Sequence, residues 1–305
     1  MAALFMRASP PNPAPAAPAA SWTAALRRAT DAVLYSSTWL ALAALGLTWS
    51  TCLLWRQPLP PRLGALVLAA TLFLYNLDSV LPFKYQPHLV LSGRKQWMLQ
   101  HRRELFAVAL AALAVAATLF FLDHWQVRTL FLGHLAVISL LYSLPVAKVR
   151  GRWRALREVP LLKVFLIAYV WAAVTVWLPA LHLGRPLAEP AVALLFVRRF
   201  LFILGLAFVF DIRDYAKDRL TGTRTFPVVL GVPATKRVAL AVLAFSCLLV
   251  WPGLTAPQWL ALLLPPALGA TLVWHAHERR PDYYFALLTD GVMLVQFLAV
   301  AAVEW

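Results

Sequence analysis

The stretch Asp211–Gly231, DIRDYAKDRLTGTRTFPVVLG, closes a long apolar run with three carboxylates, Asp211, Asp214 and Asp218. Spaced at i, i+3 and i+7, they fall within roughly 60° of arc on a helix, so one face ends in three acids. Like charges gathered at a membrane surface repel one another and attract cations, and a divalent metal is the simplest reason to place them together. A phosphate-bearing substrate is the commonest reason to want such a metal. The competing reading is a plain helix end whose acids pair with Arg213, Lys217 and Arg219. Those basic residues interleave on other helical faces, however, and an aspartate at membrane depth is costly enough to point to function.

The apolar run before Asp211 is one of many. The 305 residues are 62% hydrophobic and only 13% charged, with a mean hydropathy of +0.72. A soluble domain carries about twice that charged fraction. Nine continuous runs approach the ~20 residues that a bilayer span requires, at 33–55, 62–82, 104–122, 127–147, 160–181, 192–213, 235–254, 257–274 and 283–303. The expected class is an all-α polytopic membrane protein, and continuous rather than alternating runs argue against a barrel. Arg198 and Arg199 interrupt the sixth run; the expectation is that they snorkel to the far interface, with the membrane core starting near Phe200.

The net charge of +15 sits in alternate connections: Lys84, Arg94, Lys95, Arg102 and Arg103, then Lys148 to Arg157, then Arg213 to Arg237, then Arg279 and Arg280. This positive-inside pattern places the N-terminus and the acidic segment in the cytoplasm, and an odd count of spans puts the C-terminus outside a cell's inner membrane. Lipid headgroups and anionic substrates are better partners for such charge than nucleic acid. Residues 1–30, with the tract PPNPAPAAPAA, read as a disordered tail without the charged-then-apolar order of a signal peptide. Residues 31–305 read as a single transmembrane domain, with a hint of two four-helix units plus a ninth helix. Cys52 and Cys247 lie in apolar runs and read as packing residues.

The segment Asp211–Gly231 resembles the second aspartate motif of the UbiA superfamily of intramembrane prenyltransferases, a D-x-x-D-x-x-x-D helix end running into G-x-x-T-x-P-x-x-x-G. Asp211, Asp214, Asp218, Gly222, Thr225, Pro227 and Gly231 match in register. Tyr142-Ser-Leu-Pro145-Val-Ala-Lys148, followed by Pro160 and Lys163, is similar to the segment after the family's fourth helix. The first motif departs from the pattern: in Tyr75-Asn76-Leu77-Asp78-Ser79, only Asn76 and Asp78 remain of an expected acid-rich run.

The resemblance implies a bundle around a central cavity. Asp78, Asp214 and Asp218 are the implied catalytic acids, and with Asp211 they are the implied ligands of Mg²⁺. Asn76, Tyr142, Lys148, Arg152, Arg224 and Thr225 are the implied substrate-binding residues. The implied reaction is Mg²⁺-dependent transfer of an isoprenyl group from a prenyl diphosphate to a lipophilic, aromatic-type acceptor. A cyclase acting on a prenyl diphosphate, or a lipid carrier reusing the fold, stays open because the first motif is thinned. Asp290, inside the ninth run, reads as lining the cavity or pairing with a cation such as Lys163. Tyr169, Trp171 and Trp177 read as aromatic packing.

Overall fold

Helix after helix follows from these runs in the computed structural model, which describes residues 22–81, 92–122, 129–144, 147–149, 152–154, 156 and 159–304. The helices are α1 (Trp22–Tyr35), α2 (Thr38–Leu54), α3 (Pro61–Val80), α4 (Gly93–Gln100), α5 (Arg102–Leu122) and α6 (Thr129–Ser143). A small antiparallel hairpin follows, β1 (Ala147–Val149) with β2 (Arg152–Arg154), where Lys148 stands opposite Trp153. Next come α7 (Leu162–Ala172), a π-helical turn (Ala173–Trp177) and α8 (Leu178–His182), which run as one element. After them are α9 (Pro190–Arg213), α10 (Tyr215–Thr221), α11 (Phe226–Leu230), α12 (Val232–Leu248) and α13 (Ala256–His275). A second π turn (Tyr284–Thr289) leads into α14 (Asp290–Glu304).

Local chemistry sets several of these boundaries. Proline at the first turn starts α3 and α9, where its missing N–H costs nothing. A reciprocal capping box between Thr255 and Gln258 starts α13, which satisfies two otherwise orphaned N–H groups. α1 meets α2 at a 59° bend, with Ser37 in the left-handed region at φ 63°. α1 begins at Trp22, inside the stretch expected to be a tail; residues 1–21 lie outside the described residues.

Among the described residues, six helices are long and apolar enough to cross a membrane, and seven if the bent α1–α2 pair counts as one span. The chain is an integral membrane protein. Each of the nine expected runs carries a helix, but the first, fourth and seventh are shorter, at 17 residues in α2, 15 in α6 and 17 in α12. The helices pack in a ring in which α2 touches α3, α3 touches α5, and α6 touches α7. The ring continues through α7, α9, α12, α13 and α14, and α14 returns to α2. α9 is the most buried of the six spans and α5 the least, so α9 carries the core: Phe202, Leu206, Phe208, Val209 and Ile212 pack with Leu63, Leu243 and Phe285. A helix apolar all round is stable only when neighbours or lipid surround it.

Arg198 and Arg199 correct an expectation. They do not snorkel: they are 3% and 1% exposed. Arg198 donates to the carbonyls of Leu249 (3.0 Å) and Leu262 (2.9 Å). Arg199 donates to the Leu47 carbonyl and Thr175 Oγ1, both at 3.2 Å, and its other terminal nitrogen reaches Ser50 Oγ at 3.3 Å. Guanidinium is broad enough to gather acceptors from several helices at once: Leu249 follows the end of α12, and Leu262 stands four residues before Pro266, which has no N–H to give it. The terminal nitrogens of both arginines are satisfied in this way, as buried polar donors at membrane depth require, while Arg199 Nε has no partner.

Gly205 marks the closest approach of α9 to α12, since a Cβ there lies 2.6 Å from Leu243 Cγ and Cδ2. Gly205→Ala is expected to destabilise by about 1–3 kcal/mol, the usual cost of overpacking a filled core. Adding Leu243→Ala should recover part of that loss. Thermal denaturation in detergent measures both effects, and an unchanged midpoint for Gly205→Ala would contradict this packing.

Candidate functional site

The acidic end of α9 is built by a helix that turns a corner without losing its ladder. Asp214 leaves helical geometry at φ −84°, ψ 2°, yet its N–H still bonds Phe210 O at 3.1 Å and its carbonyl accepts from Asp218 N at 2.8 Å. Asp211, Asp214 and Asp218 therefore stay on successive turns. Gly222 ends α10 at φ 70°, a left-handed cap that glycine adopts without strain. Thr225 is the N-cap of α11, and Gly231 stands between α11 and α12. The loop is tied to α7, because Leu161 N donates to Arg224 O at 3.1 Å. That tie holds the first turn of α7, and with it Lys163, against the end of α9.

Lys163 Nζ stands 2.9 Å from Asp211 Oδ1 and 3.8 Å from Asp214 Oδ2. Arg213 grips the same Asp214 with two donors, Nε to Oδ1 at 3.0 Å and Nη2 to Oδ2 at 3.1 Å. The guanidinium also lies over the rings of Phe210 and Phe285, 5.1 and 5.7 Å from their centroids. Burial pushes the Asp214 carboxyl upward, but Arg213 and Lys163 together overcome it and hold the group well below the usual carboxylate range. Asp218 takes the opposite course: burial raises it to about 6, and the attraction of Lys163 offsets only part of that. One of its oxygens, Oδ2, is buried without a hydrogen-bond partner.

The first-motif side is quieter. Asn76 is fully buried; its Nδ2 donates to Leu72 O at 3.0 Å and its Oδ1 has no partner. Asp78 stands two residues before the end of α3, and Arg102 caps that end by donating to Val80 O at 2.9 Å, as suits a cation at a helix C-terminus. Tyr75 ties α3 to α7: its hydroxyl accepts from Trp171 Nε1 at 2.8 Å. The strongest electrostatic influences on Asp218 are Lys163, Asp214, Lys217 and Asp211, without Asp78.

The other expected substrate residues are placed as follows. The backbones of Lys148 and Arg152 lie in the β1–β2 hairpin, and their side chains lie outside the described residues. Arg224 is exposed and Thr225 is buried, with its Oγ1 unpartnered. Asp290 has Arg94 and Arg213 as its cationic neighbours, while the ammonium expected beside it, that of Lys163, is engaged by Asp211. Two participants carried no sequence signal. Arg94 N donates to Asp282 Oδ2 at 2.9 Å, and the Arg94 charge reaches Arg213, Asp290 and Asp214.

The acids of this end are thus met by cations of the chain itself. Among the described residues, no three side chains of His, Cys, Asp or Glu come together as a metal-holding group. Mg²⁺ needs oxygen ligands in near-octahedral array. Asp211 has an ammonium at hydrogen-bond distance, and both oxygens of Asp214 carry guanidinium donors. As arranged, these residues do not fit the Mg²⁺ set expected from Asp78, Asp211, Asp214 and Asp218.

A model of the UbiA prenyltransferase family matches residues 99–284, about three fifths of the chain. The matched segment contains the acidic end of α9, its loop, the β1–β2 hairpin and Lys163, and it begins after Asn76 and Asp78. A comparison with curated proteins gives no match.

The Lys163–Asp211 pair is mostly buried, with side-chain exposures of 20% and 2%. Asp211→Ala leaves the ammonium without its closest partner. The expected loss of stability is near the lower end of about 3–5 kcal/mol, since Lys163 retains some solvent. A joint Asp211→Leu and Lys163→Met replacement should restore most of it, with unfolding monitored by helical circular dichroism. Equal losses in the single and double variants would show that the pair is not coupled.

Proposed function

The chain belongs to the UbiA prenyltransferase family, and on that premise we propose that it moves an isoprenyl group from a prenyl diphosphate to a lipophilic acceptor within the membrane. One observation carries the reading. The cluster of Lys163, Arg213, Asp211, Asp214 and Asp218 stands where an apolar helix meets a basic, polar surface, inside the segment that matches the family. A substrate with an apolar chain and a diphosphate head needs both environments within one molecule's length. The positive-inside pattern assigns this end to the cytoplasm, where a soluble diphosphate leaving group departs.

Prenyl transfer begins when the allylic carbon–oxygen bond breaks and the electron pair leaves with diphosphate. Fixed cations aimed at the departing oxygens lower that barrier, because they need no reorganisation as charge develops. In this reading Lys163 and Arg213 supply the cations, held in place by Asp211 and Asp214, with Tyr142, Lys148, Arg152, Arg224 and Thr225 completing the polar surround. Asn76 and Asp78 of α3 complete the set in this reading. The allylic cation survives long enough to meet an electron-rich acceptor only where water is excluded, and the apolar ring of helices provides that. The family generally uses Mg²⁺ held by aspartate motifs; the arrangement of Asp211 and Asp214 gives no support to a step routed through it here.

The single carboxylate of α3, outside the matched segment, favours one further reading: ionisation followed by cyclisation without an external acceptor. Product analysis separates the two, since a cyclic hydrocarbon replaces a prenylated acceptor.

Incubating the purified protein with prenyl diphosphates and aromatic acceptors should release diphosphate and yield a lipophilic adduct. Asp214→Ala and Asp218→Ala are each expected to lower turnover by about 100-fold or more, the scale for losing a preorganised electrostatic element, with helical content unchanged. No release and no binding with any donor would rule out prenyl diphosphate chemistry.

A further inference from the structure

We propose that the Lys163 ammonium is the resident cation of the second acidic motif, standing between Asp211 and Asp214 in place of a divalent ion, so that the diphosphate is received by side-chain cations alone. The inference rests on the transferase reading for its ligand, but not for its statement about metal. Three observations carry it. Lys163 Nζ is at ion-pair distance from both carboxylates, 2.9 Å from Asp211 and 3.8 Å from Asp214. The remaining face of Asp214 is closed by the two-donor grip of Arg213. No group of three metal-ligating side chains assembles among the described residues.

The placement is built into the backbone. Lys163 lies in the first turn of α7, and that turn is bonded to the acidic loop through Leu161 N and Arg224 O. A divalent ion at this point has to expel a tethered ammonium whose closest partner is 2% exposed, leaving a cation in a poorly hydrated place. A dissolved ion can diffuse away, whereas a tethered one is present at every turnover. An ammonium offers three donors. Asp211 takes one and Asp214 weakly engages another, so donor capacity remains for an anionic oxygen. Beside the cluster, Arg94 keeps a buried Nε that has no hydrogen-bond partner, and its charge reaches Arg213, Asp290 and Asp214. That donor is a second place for a diphosphate oxygen.

The test uses the full chain in detergent, first with Mn²⁺ alone, followed by electron paramagnetic resonance. The wild type should show no saturable site up to millimolar metal. Lys163→Met should gain one site per chain, which Asp211→Asn then removes, and Lys163→Arg should behave as the wild type. A wild-type Mn²⁺ site that Asp214→Asn abolishes overturns the proposal, and this arm needs no folded Lys163 variant. The second arm measures binding of a prenyl diphosphate in EDTA and in Mg²⁺. Wild-type affinity should be equal in both, and Lys163→Met should weaken binding in EDTA about tenfold or more, the scale of one charge-assisted contact. Wild-type binding that appears only with Mg²⁺ overturns the proposal. Absence of binding in both solutions overturns the transferase reading, while the Mn²⁺ arm still decides the place of Lys163.

Discussion

An aspartate at the end of a buried membrane helix stays charged only if a cation reaches it, and the Lys163–Asp211 contact meets that requirement here. Much else follows from it. It fixes α7 against α9, with the Leu161–Arg224 backbone bond acting on the same turn. It keeps the corner at Asp214 turned toward α7, so Arg213 can close on Asp214 from the other side. One ion pair therefore lies where α7 and α9 exchange their polar groups, while much of their length is apolar packing.

The other half of α9 solves the same problem with different chemistry. Arg198 and Arg199 have backbone carbonyls and hydroxyls as their hydrogen-bond acceptors. Thr175, which accepts from Arg199, lies in the π-helical turn of the α7–α8 element, and its carbonyl accepts from Thr51. A π turn misaligns carbonyls with the helical ladder and frees them for such contacts. The two solutions have different consequences. Arg198 and Arg199 are buried, at 3% and 1% exposure, and their donors reach acceptors of several helices, so the arginine end is a structural joint. A carboxylate holding a cation can yield part of that cation's coordination, so the aspartate end is fit for chemistry.

How much of this was legible follows from the range of the interactions. The apolar helices were legible because span composition is a local property, although six or seven of the nine runs reach full span length and α6 and α12 stop shortly before Pro145 and Pro252. The acids and the Gly222–Gly231 loop were legible because their spacing falls within one segment. Pairing was not, because Lys163 and Asp211 lie 48 residues apart and the Arg94–Asp282 bond joins positions 188 apart. The burial of Arg198 and Arg199 was misread for a related reason: arginine in an apolar run signals an interface when its acceptors are unseen, and carbonyls have no residue type to mark them. The β1–β2 hairpin was missed because three-residue strands in a basic segment show no alternation for a period-two pattern to reveal.

The contacts of Lys163 are unequal, and the inequality sets the direction of events at the site. Asp211 is almost wholly buried and holds Nζ at hydrogen-bond distance. Asp214 is more open, lies 3.8 Å away and has Arg213 as a stronger partner. An anion approaching from the polar side therefore competes with Asp214 for the ammonium and leaves the Asp211 bond intact. Asp214 loses little in that exchange, since Arg213 keeps both of its oxygens paired. The cluster thus admits a diphosphate by loosening one long contact, without uncovering the buried acid beneath it. The outer carboxylate acts as the exchangeable partner, and the inner one as the anchor that keeps the cation in place once the leaving group departs.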